Sequence, residues 1–223
     1  YDTKDNQKKV IKLVKLYKKK ISRISDEVET MNLANHPNIL KMDDAFRYGP
    51  FVCIVTPYTP YQSLHHLLLT SYPHGLPEET AVVIFRQMLQ AVSYLHGINV
   101  WHRDIKPDNF LVFDPDPNQP KVVLADFGFA KLFQEGEYGD EFFGTMEFLP
   151  PEMLKCIPYD KSVDVYSLGI SLFVMLVARY PTPAYRTAPD ECKRKILRGH
   201  LNYQLLIDYE ISPDAVDLIR QMC

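Results

Sequence analysis

His102-Arg103-Asp104-Ile105-Lys106-Pro107-Asp108-Asn109-Phe110 decides how this chain is read. The stretch sets a carboxylate, an ammonium and a carboxamide on one short loop. A second carboxylate follows in Asp126-Phe127-Gly128, 22 residues after Asp104. Together these groups offer an acid–base carboxylate, a cation and hard oxygen donors within a short span of sequence.

Outward from this stretch, Phe110–Phe113 and Lys121–Leu124 read as short apolar strands around the turn-rich Asp114-Pro115-Asp116-Pro117-Asn118. A strand, loop and strand would bring Asp104, Lys106, Asn109 and Asp126 together. Upstream, Pro77 to His96 carries a helical stripe of Ala81, Phe85, Met88 or Leu89, Val92 and Leu95, with Pro77 suited to the first turn. Downstream, Ser162 to Ala178 is apolar nearly all round, which predicts a central buried helix. Ser212-Pro213-Asp214 opens a last helix with a capping serine, a first-turn proline and an acid near the positive end.

The start of the chain has a different texture. Val10 to Leu16 reads as a strand, and Lys18-Lys19-Lys20 breaks its apolar pattern. Residues 21 to 34 read as a helix with Ile24, Val28 and Met31 on one face and Leu33 as a further candidate. His36-Pro37-Asn38 stops it, because a residue before proline is pushed out of helical geometry. Ile39 to Phe46 and Phe51 to Thr56 read as strands joined by a turn at Gly49-Pro50. Pro57 to Pro60 marks a boundary. The expectation is an α+β fold of two lobes with a cleft between them.

Composition fits an ordinary globular protein, with 24% charged and 46% hydrophobic residues and a net charge of −3. Residues 1–25 nevertheless hold eight lysines, one arginine and two aspartates. These lysines alternate with Val10, Ile11, Leu13, Val14 and Leu16 as in a structured strand, so they read as a solvated face, and no nucleic-acid partner is expected. Four scattered cysteines form no Cys-x-x-Cys pair, which speaks against a zinc site or disulfide framework and for a reducing compartment. The longest apolar run, Leu168 to Ala178, is too short to span a bilayer, and no apolar signal segment opens the chain. A cytoplasmic monomer is expected, with the nucleus as a second compartment.

With these motifs in place, the chain resembles a eukaryotic-type serine/threonine protein kinase domain from about Gln7 to its last residue. His36-Pro37-Asn38-Ile39, Gly144-Thr145-Met146-Glu147-Phe148-Leu149-Pro150-Pro151-Glu152 and Asp164-Val165-Tyr166-Ser167-Leu168-Gly169 complete the set in the family's order. The resemblance implies a small, partial, strand-rich N-lobe over 1–57 and a larger, mainly helical C-lobe over 58–223. It implies ATP and Mg2+ as cofactors, and protein substrates that offer serine or threonine hydroxyls.

Roles follow from the resemblance. Asp104 would orient or deprotonate the substrate hydroxyl, Lys106 would hold the γ-phosphate, and Asn109 and Asp126 would ligate magnesium. Lys12, in Val10-Ile11-Lys12, stands where the family's phosphate-binding lysine lies, with Glu27 as its helix partner; Lys9 and Lys15 are alternatives. Thr56 falls at the gatekeeper position, Pro57 would offer its carbonyl and Thr59 its N–H to adenine, and Val10 and Leu111 would sandwich the ring. Met31, Met42, His102 and Phe127 would form the family's regulatory stack. Lys106-Pro107 and Gly144-Thr145 resemble serine/threonine rather than tyrosine kinases.

Relatives switched by phosphorylation carry a threonine four residues before the position of Thr145. Here that position is Glu141, and the expectation is that Glu141 replaces the phosphate, held by Arg103 and Lys131. No glycine precedes Gly49, so the family's glycine-rich loop is not found, and the arginine that normally meets Glu152 is not found either. The chain therefore reads as a kinase domain trimmed at both ends. A nucleotide- or protein-binding scaffold without turnover is the alternative.

Overall fold

A three-stranded antiparallel sheet and one helix make the small lobe of this computed structural model, which describes residues 7–16 and 21–223. Lys18-Lys19-Lys20 and the first six residues of the basic stretch lie outside the described residues. Strand β1 (Lys9–Lys15) pairs with β3 (Phe51–Pro57), which pairs in turn with β2 (Asp44–Tyr48). Val10 lies opposite Thr56 and Lys12 opposite Ile54. Because side chains alternate along a strand, Val10 and Lys12 share one face while Lys9 and Lys15 share the other.

Helix α1 (Ile21–Leu33) buries Ile24, Glu27, Thr30 and Met31. Leu33 is exposed, so the apolar face is narrower than its sequence suggests. The expected strand over Ile39–Phe46 is also corrected. Ile39 and Leu40 instead cross to the large lobe, where Leu40 N–H donates to Leu124 O at 2.8 Å, and β2 begins only at Asp44. Asn38 directs this crossing: its amide donates to Val122 O at 3.0 Å and Gln87 Oε1 at 2.9 Å. The Gly49-Pro50 turn then reverses the chain, with Gly49 at φ +56°.

The large lobe is built from helices around one buried rod. After α2 (Leu64–Ser71) comes α3 (Glu78–Gly97), which buries Met88 and leaves Leu89 exposed. Pro77 caps α3 from just outside rather than entering its first turn. Three short strand pieces follow, β4 (Val100–Trp101), β5 (Phe110–Asp114) and β6 (Lys121–Leu124), then β7 (Lys131–Leu132). β5 pairs antiparallel with β6, and β4 with β7.

A four-residue helix, α4 (Pro151–Leu154), precedes α5 (Ser162–Val177), which is buried from Val163 to Val177 apart from Val165. Such burial on every side is what its all-round apolar sequence demands. Helices α6 (Pro189–Leu197), α7 (Gln204–Asp208) and α8 (Pro213–Met222) complete the lobe. Ser212 caps α8 by accepting from Ala215 N–H, as its sequence predicts.

Candidate active site

The loop from His102 to Asn109 hangs between β4 and β5, and Asp164 at the start of α5 holds it from below. Asp164 is fully buried, and its carboxylate accepts from Arg103 N–H at 2.7 Å, His102 N–H at 2.9 Å and His96 Nε2 at 2.8 Å. Burial pushes the Asp164 carboxyl up, but the His96 hydrogen bond and the positive surroundings outweigh it, and its pKa falls below the usual carboxylate value. This anchor keeps Arg103 at φ +63°, a left-handed conformation that costs a non-glycine residue roughly 1–3 kcal/mol.

Above the anchor, four side chains converge. Lys106 Nζ lies 2.8 Å from Asp104 Oδ2 and donates to Thr145 Oγ1 at 2.6 Å. The Thr145 hydroxyl donates to Asp104 Oδ1 at 3.1 Å, and Asn109 Nδ2 donates to Asp104 Oδ2 at 3.0 Å and Asp104 O at 2.7 Å. Asp104 is buried, so its charge is matched inside the protein rather than by water. Gly144 permits the close approach: at φ +113°, an added Cβ would sit 3.1 Å from Arg103 O.

A second constellation is centred on Lys12. Lys12 Nζ is 2.7 Å from Glu27 Oε1 and 2.9 Å from Asp126 Oδ1, so it joins sheet, helix α1 and the Asp126 turn. Burial works to lower the Lys12 ammonium, but Glu27 and Asp126 raise it above its ordinary value on balance. Burial likewise raises the Asp126 carboxyl, and the Lys12 hydrogen bond and charge bring it below the usual range. Both groups are therefore ionised at neutral pH. Lys9 instead pairs with Asp43 at 3.1 Å on the opposite face, and Lys15 lies opposite Phe51 at the far end of the strand.

Beside the Lys12 constellation runs a cleft of about 560 Å³. Val10, Lys12, Glu27, Thr56, Pro57, Thr59, Leu111 and Asp126 all line it. The Thr59 hydroxyl donates to Val112 O and ties the segment between the lobes to β5. His102 and Phe127 pack edge to face with ring centroids 5.2 Å apart, and Met31 and Met42 pack on the same core.

The residues fit a magnesium ion. Asn109 spends its amide nitrogen on Asp104, which leaves its carbonyl oxygen as an acceptor, and Asp126 keeps an oxygen beyond the one that meets Lys12. Among the described residues no group of three or more His, Cys, Asp or Glu side chains gathers as a metal site of its own. Two protein oxygens suit an ion that takes its other ligands from water and substrate phosphates.

The profile of the protein kinase domain matches residues 1–223. The chain belongs to the protein kinase family. This kinase domain is 34% identical over 200 residues to the serine/threonine-protein kinase GIN4 of Saccharomyces cerevisiae, covering 89% of the chain and 17% of that protein. It is 31% identical over 208 residues to a calcium/calmodulin-dependent protein kinase type 1 of Macrobrachium nipponense, covering 93% of the chain and 59% of the relative. It is 31% identical over 229 residues to the serine/threonine-protein kinase cds1 of Schizosaccharomyces pombe, covering 100% of the chain and 48% of the relative. The kinase domain thus spans at most 59% of the length of these relatives.

One expected contact of the kinase domain is corrected. Lys131 does not hold Glu141; its ammonium pairs with Glu137 Oε1 at 3.0 Å, because Glu137 lies six residues along the same turn. Arg103 alone of the two expected cations meets Glu141, at 3.4 Å. Asp164 has a role that residue-by-residue reading missed. The Asp164 signal was present, since a charged residue in an otherwise apolar helix must find partners.

Proposed function

We propose that this kinase domain transfers the γ-phosphoryl group of ATP to serine and threonine hydroxyls of proteins. The observation that carries this reading is the convergence of Asp104, Lys106, Thr145 and Asn109 in one hydrogen-bonded set, together with the Lys12–Glu27–Asp126 set that lines the cleft. In the reaction, the substrate hydroxyl oxygen bonds to the γ-phosphorus as the bond to the β,γ-bridging oxygen breaks, and Asp104 takes the hydroxyl proton. Lys106 meets the charge on the transferred group, and Lys12 meets the phosphates that stay behind. Magnesium, held by Asn109 and Asp126, would neutralise phosphate charge.

Val10, Leu111 and the hinge from Thr56 to Thr59 offer the apolar slot and backbone groups that a purine needs. Serine and threonine acceptors are favoured by the relatives named serine/threonine kinases and by the resemblance of Lys106-Pro107 and Gly144-Thr145 to that class. The division into a strand lobe over 1–57 and a helical lobe over 58–223 is part of this reading.

The test is magnesium-ATP-dependent labelling of a Ser/Thr/Tyr peptide array by the chain, beside its Asp104→Asn and Lys12→Met variants. Labelling confined to serine and threonine and lost in both variants supports the reading. A folded sample that binds ATP but labels nothing would make the chain a binding module.

A further inference from the structure

The Thr145 hydroxyl reaches Asp104 and Lys106, and the short turn behind it, Met146–Phe148, is anchored outside the Asp104 loop. Within the turn, Phe148 N–H donates to Thr145 O at 2.9 Å and Leu149 N–H donates to Met146 O at 3.2 Å. Phe148 O accepts from Ser167 Oγ on α5 at 2.9 Å. Two side chains then leave the turn for the loop that follows α5. The Phe148 ring meets the Tyr180 ring edge to face, with centroids 5.9 Å apart. Glu147 Oε1 accepts from Tyr185 N–H at 2.9 Å, across a separation of 38 residues.

The receiving loop is itself fastened on both sides of Tyr185. Thr182 is buried, its hydroxyl lies 3.7 Å from Cys192 Sγ on α6, and Asn202 N–H donates to Pro181 O at 2.8 Å. Ala188 N–H donates to Ala184 O at 3.0 Å, and the Lys193 ammonium sits 5.5 Å from the centre of the Tyr185 ring. Tyr185 N–H is therefore a donor held in place, and Glu147 answers it with one oxygen. A backbone N–H needs an acceptor, which a neutral carbonyl oxygen also supplies. A basic substrate side chain would instead draw on the charge of the carboxylate.

Building on the phosphoryl-transfer reading, we propose that Glu147 is a positioning residue: by accepting from Tyr185 N–H it moors the Thr145 turn to the loop after α5, and so holds the Thr145 hydroxyl on Asp104 and Lys106. It works as a hydrogen-bond acceptor rather than as a reader of basic substrate side chains. Its action reaches the acceptor side of the reaction through Thr145 and leaves the Lys12–Glu27–Asp126 set untouched.

The experiment compares the chain with Glu147→Ala and Glu147→Gln, by hydrogen exchange of the Tyr185 and Phe148 amides and by kinetics on two serine peptides, one with arginines before the serine and one without. A hydrogen bond to a charged group is worth about tenfold. Glu147→Ala is expected to raise both exchange rates and to lower kcat/KM for both peptides by about that factor, while the KM for ATP stays put. Glu147→Gln keeps an acceptor oxygen and is expected to stay within about threefold of the parent on every readout. Unchanged exchange in Glu147→Ala, a glutamine variant as poor as the alanine one, or a loss confined to the arginine peptide would overturn the proposal. Should the alanine variant not fold, the glutamine variant decides alone: parental kinetics support the acceptor role, and a tenfold loss overturns it. Exchange needs no activity, so a parent that labels neither these peptides nor the array, with exchange raised in Glu147→Ala alone, refutes the phosphoryl-transfer reading and leaves the mooring standing.

Discussion

Asp164→Asn removes one negative charge and one acceptor from the most buried carboxylate of the site. In the parent, Oδ2 serves His96 Nε2 and His102 N–H, and Oδ1 serves Arg103 N–H. The better orientation of the asparagine keeps its oxygen toward His96 and His102 and turns its NH2 toward Arg103 N–H. Two donors then face each other where 2.7 Å separates donor and acceptor now. One orphaned buried donor costs about 1–3 kcal/mol, and loss of charge weakens the other two bonds by roughly half, for a total of about 3 kcal/mol.

The sign of the pH dependence follows from the depressed Asp164 pKa. Its contribution is present above the unfolded carboxyl value of about 3.9 and is lost as pH falls through the lower folded value. Urea unfolding of parent and variant should therefore differ by about 3 kcal/mol at pH 7, with the gap narrowing below about pH 4. A gap under about 1 kcal/mol at pH 7, or one that stays constant into acid, would refute the claim that this carboxylate is ionised and holds the loop.

Gly75→Ala should destabilise the fold by about 3 kcal/mol or more, since Gly75 has φ +100° and an added Cβ would lie 2.0 Å from Leu176 O. A thermal midpoint lowered by less than about 1 °C would show that the turn before α3 is free of α5. The cysteines should also divide by burial. Cys156 is exposed, Cys53 and Cys192 are buried, and burial pushes the Cys223 thiol up to about 12. Mass spectrometry after brief maleimide treatment at neutral pH should find Cys156 modified first; equal modification of Cys223 would mean that its turn does not pack on α5.

Legibility in the sequence followed the range of the interactions. The long helices were readable because α3 and α5 repeat their apolar residues often enough for the period to stand out. The Asp104 loop was readable because Asp104, Lys106 and Asn109 lie within six residues, where spacing alone constrains geometry. Ile39 to Phe46 misled because apolar residues at Ile39 and Leu40 look the same whether they pair within their own lobe or cross to Leu124. Lys131 misled for a similar reason, since charge alone does not separate Glu137 from Glu141 as its partner. Helices α2, α6 and α7 are short enough, at eight, nine and five residues, that no period could develop.

The backbone carries a further sign that this site is built in advance of its ligands. Arg103 at φ +63° and Asp126 at φ +57° both sit in the left-handed region, and neither is glycine. Each conformation costs roughly 1–3 kcal/mol, so both would relax if the surroundings did not hold them. Asp164 holds the first through Arg103 N–H, and the Lys12 contact at 2.9 Å meets the side chain of the second. The strained residues are neighbours of, or are themselves, the groups that would face phosphate and hydroxyl. A site that must present charges in fixed positions as a transition state forms gains their reorganisation energy in advance.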